Sequence, residues 1–417
     1  SYSNASGNVS GDLNVGGLVG CVNSEDVVRD PSFSDIIKSY ASGTVSGSKH
    51  VGGLVGNNYG RVEYSHSIGN VKGETYVGGL VGFNSYYVED CYAAGLTEGK
   101  VNIGGLVGFN DAYVMSSNAS GTTEGETYVG GLVGFNYGLV EYCYADTNVF
   151  AKTYVGGLVG YNDGTTEGSY ASGNVMGEDF VGGLVGYNIY EVTDSYATGT
   201  VFGSIAVGGL VGINKDQVTN CYAIGLVYGG TVQGGLIGIN DGGVTSSYYD
   251  KETSGQSDTG KGEPKTTAEM KLRSTYQDWN FEYVWSIRDG ETYPMFYWQE
   301  EAPQSSFVVE IENIGALSGM AFNLYINYAR GEDGELLNGF YRVKVDSDLD
   351  GENVVNEEFI FIDGETTVPV TLDAVGIHKL RIYVTRISFS NVVEINKKVI
   401  SVTTESDSSL LPKVLEM

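Results

Sequence analysis

Thr127-Tyr-Val-Gly-Gly-Leu-Val-Gly-Phe-Asn136 returns as Thr153-Tyr-Val-Gly-Gly-Leu-Val-Gly-Tyr-Asn162, and variants of the phrase run through the first 240 residues. Its leading glycines are Gly16, Gly52, Gly78, Gly104, Gly130, Gly156, Gly182, Gly208 and Gly234, the last copy reading Gly-Gly-Leu-Ile-Gly. From Gly52 onward every step is 26 residues, whereas the first is 36. Glycine and β-branched residues both weaken helices, which excludes a helical repeat of this composition. One such unit cannot bury an apolar face alone, so the copies must stack. The pattern predicts an all-β chain whose body is a parallel β-solenoid (β-helix) of 26-residue rungs. Equivalent residues then lie about 4.8 Å apart along the axis.

Stacking turns each rung position into a column. Asn58, Asn84, Asn110, Asn136, Asn162, Asn188, Asn214 and Asn240 form one such structural ladder. Asn tolerates left-handed backbone and its amide can bond to the amides above and below, so the ladder is expected at a corner of the coil. Phe83, Phe109, Phe135, Tyr161, Tyr187, Ile213 and Ile239 run just before it. Glu74, Lys100, Glu126, Lys152 and Glu178 alternate in sign along another column, which suits a register device. Tyr92, Tyr144, Tyr170, Tyr196 and Tyr222 form a further column, begun by His66 and interrupted by Asn118. Small residues flank them, so an external stripe is expected. Two readings of it stand: a contact surface for sugars or a neighbouring fibre, and a structural stack.

Cys91, Cys143 and Cys221 share a column with Ser65, Ser117, Ser169, Ser195 and Ser247. Two and three rungs separate the thiols, roughly 10 and 14 Å, beyond disulfide reach and unsuited to a shared metal. They read as buried stand-ins for serine, and Cys21, in the irregular first repeat, shares no column with another cysteine. The 10-residue excess of the first repeat, near Ser24–Lys38, reads as an extruded loop.

The period fails after Asp250. Residues 251–303 are expected to cap the solenoid, with one short helix near Thr266–Ser274, where Thr266 and Glu269 have capping-box spacing. The aromatic run Trp279, Phe281, Tyr283, Trp285, Tyr293, Phe296, Tyr297 and Trp298 reads as a plug over the solenoid end. About seven alternating strands in residues 304–402 suggest an immunoglobulin-like β-sandwich, followed by a polar tail, 403–417. Within the sandwich Asp346-x-Asp348-x-Asp350-Gly351, with Glu352 and Glu357, fits a calcium-loop pattern, because alternating oxygens converge on one cation. Val354 departs from that pattern and the flanks read as strands, so Ca2+ binding stands beside an acidic hairpin loop.

A formal charge of −29 argues against a nucleic-acid partner, since phosphate neutralisation needs Lys and Arg. No run of about 18 apolar residues spans a membrane. Nucleophile elbow, Walker loop, paired zinc histidines and dinucleotide fingerprint are all missing from the sequence, and adjacent acids such as Glu89 and Asp90 point to opposite faces of a strand. The chain is therefore read as non-enzymatic, a polysaccharide-cleaving enzyme being the least supported class. Asn4, Asn8 and Asn118 sit in glycosylation sequons.

The phrase Val-Gly-Gly-Leu-Val-Gly-x-Asn, followed by Ser-Tyr-Ala-x-Gly-x-Val-x-Gly, resembles the GLUG repeat of bacterial and archaeal surface proteins. Thr-Ala-Glu-Met-Lys through Tyr293-Pro294 resembles the ending such arrays carry. The likeness covers roughly residues 1–300 and leaves out the sandwich. It implies a secreted solenoid of large adhesins, surface-layer-like proteins and some cell-wall-anchored enzymes, and it transfers no catalytic residue.

The expected function is a secreted structural subunit of a cell-surface stalk or extracellular filament, assembling head-to-tail with copies of itself. Ser1 falls in mid-rung, which allows for a leader or earlier rungs and exposes an edge another chain could pair with. The alternative is an adhesin or carbohydrate-binding module that meets glycans or a neighbouring cell surface.

Overall fold

The structure, a computed structural model, describes residues 3–22 and 35–299 with their side chains and, beyond them, the backbone of seven strands between Val308 and Thr404. The chain divides into two compact units, Ser1–Tyr297 and Trp298–Met417.

The first unit is a succession of short strands that repeats once per sequence copy. One rung runs through Thr127–Gly130, Val133–Asn136, Leu139–Glu141 and Tyr144–Phe150. Three of these positions build parallel sheets of nine strands each. The register is one repeat everywhere: Val129 pairs with Val155, Asn136 with Asn162 and Val140 with Thr166. The fourth face is continuous at Tyr92–Glu98, Asn118–Glu124 and Tyr144–Phe150 and split in two short strands elsewhere. Columns of Val, Leu and Ala fill the lumen; Val129, Leu132, Val133, Val140 and Ala145 are all fully buried.

The Gly-Gly-x-x-Gly spacing answers to backbone contact between rungs. A Cβ on Gly131 would lie 2.0 Å from the carbonyl oxygen of Gly157 in the following rung. A Cβ on Gly134 would lie 2.5 Å from the amide nitrogen of Ile103 in the preceding one. The bend therefore admits its neighbours on both sides only where side chains are absent.

The Asn column does mark a corner, where the second strand ends, but the left-handed residues lie elsewhere. The Asn column ends the second strand in ordinary extended geometry; left-handed backbone falls on His50, Tyr76, Asn102, Tyr128, Tyr154 and Phe180, and on a second column that includes Tyr64, Asp90, Ser116, Tyr142 and Asp194. Aromatic residues rarely adopt positive φ. Here each residue of the first column acts as a bulge inside its strand, pairing passing from Thr127–Thr153 directly to Val129–Val155, whereas Tyr64 and Tyr142 directly follow the strands Arg61–Glu63 and Leu139–Glu141. The conformational cost, on the order of 1 kcal/mol each, is offset by packing of the ejected rings.

The end of the solenoid is also closed differently. Tyr249 takes the lumen position that Ala223 holds one rung earlier. Its ring lies under Gly235, where a Cβ would approach within 2.1 Å, and its hydroxyl donates to the carbonyl of Asp258. Lys261 Nζ donates to the carbonyls of Gln233 and Gly238 at 2.7 and 2.9 Å, and Gly235 N donates to Asp258 Oδ1. Glu263–Lys265 then adds a last parallel strand on Tyr248–Asp250. A polar, glycine-rich segment thus satisfies the open edge, and the aromatic run is laid elsewhere. The expected helix is shorter, Thr267–Met270, with Thr266 and Glu269 forming the capping box, and a second turn of helix occurs at Lys251–Ser254. Asp250 ties them together: it accepts from Glu252 N and Thr253 N through Oδ1 and from Thr267 and Tyr293 hydroxyls through Oδ2.

The second unit is antiparallel. Val308–Ile311, Ala321–Asn327 and Thr366–Thr371 form one sheet in that order. Gly351–Phe361, Gly339–Ser347, Gly376–Ser388 and Asn391–Thr404 form the other.

Candidate contact surfaces

The Asn ladder lies inside the wall. Each Nδ2 donates to the Oδ1 of the next rung at 2.8–2.9 Å, from Asn58 through to Asn240. Further bonds run to backbone carbonyls two residues on and one rung ahead, as from Asn136 to Gly138 and Thr165. The Ser/Cys column works similarly: Ser117 Oγ donates to the Met115 carbonyl and accepts from Cys91 N, and Cys143 Sγ accepts from Ser117 N. Burial pushes the Cys143 thiol up to about 12, so it stays protonated, as the serine hydroxyls do. Cys91, Cys143 and Cys221 are buried and Cys21 is exposed, with no disulfide formed by any of the four. On the alternating column Lys100 reaches Glu74 at 2.6 Å and Lys152 reaches Glu126 at 3.3 Å. These pairs are solvent-exposed, so they favour register more than stability.

The tyrosine column is a continuous stack in two pieces. Tyr40, His66 and Tyr92 stack at 5.1 and 4.5 Å; Tyr144, Tyr170, Tyr196 and Tyr222 stack at 4.8–5.1 Å, with ring planes within 7°. Tyr92 is exposed, Tyr144 and Tyr170 are half-buried, and Tyr196 and Tyr222 are buried. The last two are covered by the aromatic run of the cap, which folds back along the flank as a strap. Trp285 packs on Tyr196 and Tyr222, Phe296 on Tyr170 and Tyr196, and Trp279 on Tyr222 and Tyr248. Trp285 Nε1 donates to Asp194 Oδ1 at 3.0 Å, and the Tyr222 hydroxyl donates to the Pro294 carbonyl at 2.6 Å. Tyr196 and Tyr222 therefore belong to an internal interface rather than to an open contact stripe. Where the column is open, neighbouring rings occupy one another's faces, leaving mainly edges outward.

The aromatic column just before the Asn ladder is stacked as well, and its partner column escaped the sequence reading. Phe83, Phe109, Phe135, Tyr161 and Tyr187 stack at 4.8–5.3 Å, and the left-handed Tyr76, Tyr128 and Tyr154 meet them edge-on. Only knowledge of the bulge places the two columns side by side, and the repeat spacing carries no sign of it.

Carboxylates gather beside the tyrosine column. Glu63 pairs with Glu89, and Glu141 with Glu167, each directly one rung apart. Burial and like charge raise Glu89 and Glu167, and burial raises Glu141. Asp90 is pushed up to about 7 by burial and then by Glu89, against a smaller opposing effect of the Tyr64 hydroxyl. A carboxyl whose folded value is raised adds stability below its unfolded value, and that stability is lost as pH rises through the folded value. The melting temperature is therefore expected to rise as pH falls from 8 to 5. Replacing Asp90 by Asn, which suits left-handed backbone, is expected to flatten the profile around pH 7; an unchanged profile would remove Asp90 as its source.

The proposed calcium residues fall at a hairpin. Asp346 is the last residue but one of Gly339–Ser347, Glu352 is the second of Gly351–Phe361, and Ser347 pairs with Gly351. Asp348 and Asp350 lie outside the described residues. Glu357 is opposite Val343, six residues along an extended strand from Gly351, roughly 20 Å from the turn. A helix would fold such a residue back toward a loop, whereas a strand carries it away. Among the described residues no group of three metal-binding side chains converges, and no helix is long and apolar enough to cross a membrane, which says nothing about β-barrels.

Four segments of the chain, residues 47–72, 125–149, 152–176 and 181–201, match the family model described as the GLUG motif. A protein of Evansella cellulosilytica described as a Gly-rich membrane protein is 54% identical over 50 residues. That stretch is 12% of this chain and spans only 6% of the length of that relative. The chain thus carries GLUG repeats, and they form a parallel β-solenoid.

Proposed function

We propose that this GLUG-repeat solenoid is the stalk of a secreted, cell-surface structural protein, a spacer whose product is length and stiffness. The supporting observation is the continuity of the wall: sheets of nine parallel strands, Asn and Ser/Cys ladders that each donate to the following rung, and ion pairs from Lys100 and Lys152 back to the preceding one. Nine rungs make a rod of about 40 Å. The surface location draws on the relative's description as a membrane protein. The unit following the rod is read as an immunoglobulin-like head. Support comes from its strand order, first-second-fifth in one sheet and fourth-third-sixth-seventh in the other, which is how Greek-key sandwiches distribute seven strands.

Excising residues 105–156, two whole repeats, is expected to leave a cooperatively folding rod about 10 Å shorter by small-angle scattering. Collapse of the fold would show that rungs are not interchangeable spacers. Head-to-tail assembly into a filament is the finer form of the same proposal. Electron microscopy of concentrated protein that finds only isolated particles would remove the filament and leave the stalk. Sugar binding on the tyrosine column draws less support, because stacking a pyranose needs a free ring face. Calcium at Asp346, Asp348, Asp350 and Glu352 is proposed for the hairpin end without Glu357. It predicts a higher melting temperature in millimolar calcium, and an unchanged melt would withdraw it.

A further inference from the structure

The strap shows what the tyrosine column accepts, and the repeat carries that chemistry to a second place. Asp194-Ser195-Tyr196 receives Trp285: the indole Nε1 donates to Asp194 Oδ1 at 3.0 Å, and the ring lies 6.1 Å from that of Tyr196. Four repeats earlier the chain reads Asp90-Cys91-Tyr92. The two aspartates share left-handed backbone, φ 51° and 42°. Their tyrosines are stacked from below in the same manner, Tyr92 by His66 and Tyr196 by Tyr170. The difference is occupancy. Both Asp90 carboxylate oxygens are buried and no donor reaches them at full hydrogen-bond geometry, the Tyr64 hydroxyl standing only near enough to favour the charged form slightly, and Tyr92 is 40% exposed.

A buried acceptor left unpaired is costly and rare in native structures. We propose that Asp90 and Tyr92 form a second indole site, which takes a tryptophan presented by a partner polypeptide as Asp194 and Tyr196 take Trp285. The partner's N–H donates to the Asp90 carboxylate and its ring covers Tyr92. Two neighbours set the fit. Tyr64, one rung below and 48% exposed, stands where the occupied site has Gly168, and so must swing outward. Asn118, one rung above, replaces the second ring wall that Tyr222 gives Trp285 and leaves room for an indole entering from outside. Burial and then Glu89 raise the proton affinity of Asp90, and the Tyr64 hydroxyl offsets this only in part, so a full donor at the carboxylate is still wanting.

The inference is independent of the stalk reading, and its test uses the full chain. The probe is a fluorescein-labelled peptide with the sequence of residues 279–297, followed by anisotropy at pH 8. Saturable one-to-one binding is expected, weakened about ten-fold or more by Asp90→Ser, since a hydrogen bond to a charged acceptor is lost. Serine already occupies the same left-handed column at Ser116 and Ser246, so this variant keeps the fold, and an unchanged melt verifies it. Tyr64→Ala is expected to tighten binding by opening the site, and a peptide carrying 1-methyltryptophan at the position of Trp285 to bind as weakly as Asp90→Ser does with the normal peptide. Absence of saturable binding, or equal affinity of wild type, Asp90→Ser and the methylated peptide, would overturn the proposal.

Discussion

Alanine at Gly131 is expected to destabilise the solenoid by on the order of 4 kcal/mol, or to prevent folding, although it adds a single methyl group. The new carbon would stand 2.0 Å from the Gly157 carbonyl oxygen, and both atoms belong to backbone. Neither can rotate away, so the two rungs must part by about 1 Å to reach contact distance. Parting them stretches the bonds from Gly131 N to Gly156 O and from Leu132 N to Leu158 O, now 3.1 and 2.9 Å. Each such bond is worth about 1 kcal/mol net, and a buried group left unpaired costs about as much again. Gly7 is the control, since a Cβ there meets nothing within 4 Å; its replacement by Ala is expected to stay within about 0.5 kcal/mol of wild type. Denaturant titration of both variants decides the matter. A Gly131→Ala midpoint as close to wild type as the Gly7→Ala midpoint would mean that the rungs are not in backbone contact.

Asn136→Ala is expected to cost about 3 kcal/mol, and the equivalent change at Asn240 about 1 kcal/mol. Asn136 donates to Asn162 Oδ1, Gly138 O and Thr165 O and accepts from Asn110 Nδ2. Its loss removes all four bonds at once, leaving the buried Asn110 amide only the carbonyls of Ala112 and Leu139 and the buried Asn162 Oδ1 only the Thr166 hydroxyl. Asn240 closes the ladder, is partly exposed, and donates only to the carbonyl of Gly242. The measurement is the pair of unfolding free energies. Equal costs at the two positions would deny that the amides act as a connected chain.

The repeat itself was readable because its period is covalent: whatever residue 110 touches, residue 136 touches one rung on. That logic reached the columns, the register and the serine-like thiols. It did not reach properties that depend on the path between columns. The left-handed turns were assigned to asparagine on propensity, whereas Tyr76, Tyr128 and Tyr154 adopt them because stacked rings across the bulge outweigh local backbone preference. The strap was misplaced for a related reason. An aromatic run after the last repeat suggests a plug, but a lumen one tyrosine wide is already filled by Tyr249, so the tryptophans find apolar surface only along the flank. Asp90 and Asp194 could have been matched by their spacing of four repeats. Nothing in the sequence says that one of them receives an indole N–H and the other does not.

The carboxamides of the wall also give the rod a polarity. The seven from Asn58 to Asn214 point their nitrogen toward the Asn240 extremity, and dipoles in line reinforce one another as peptide units do along a helix. The Asn58 pole is electronegative and the Asn240 pole electropositive. Two such rods brought together base to base would oppose like poles, whereas the same rods laid nose to tail would extend a single electric axis.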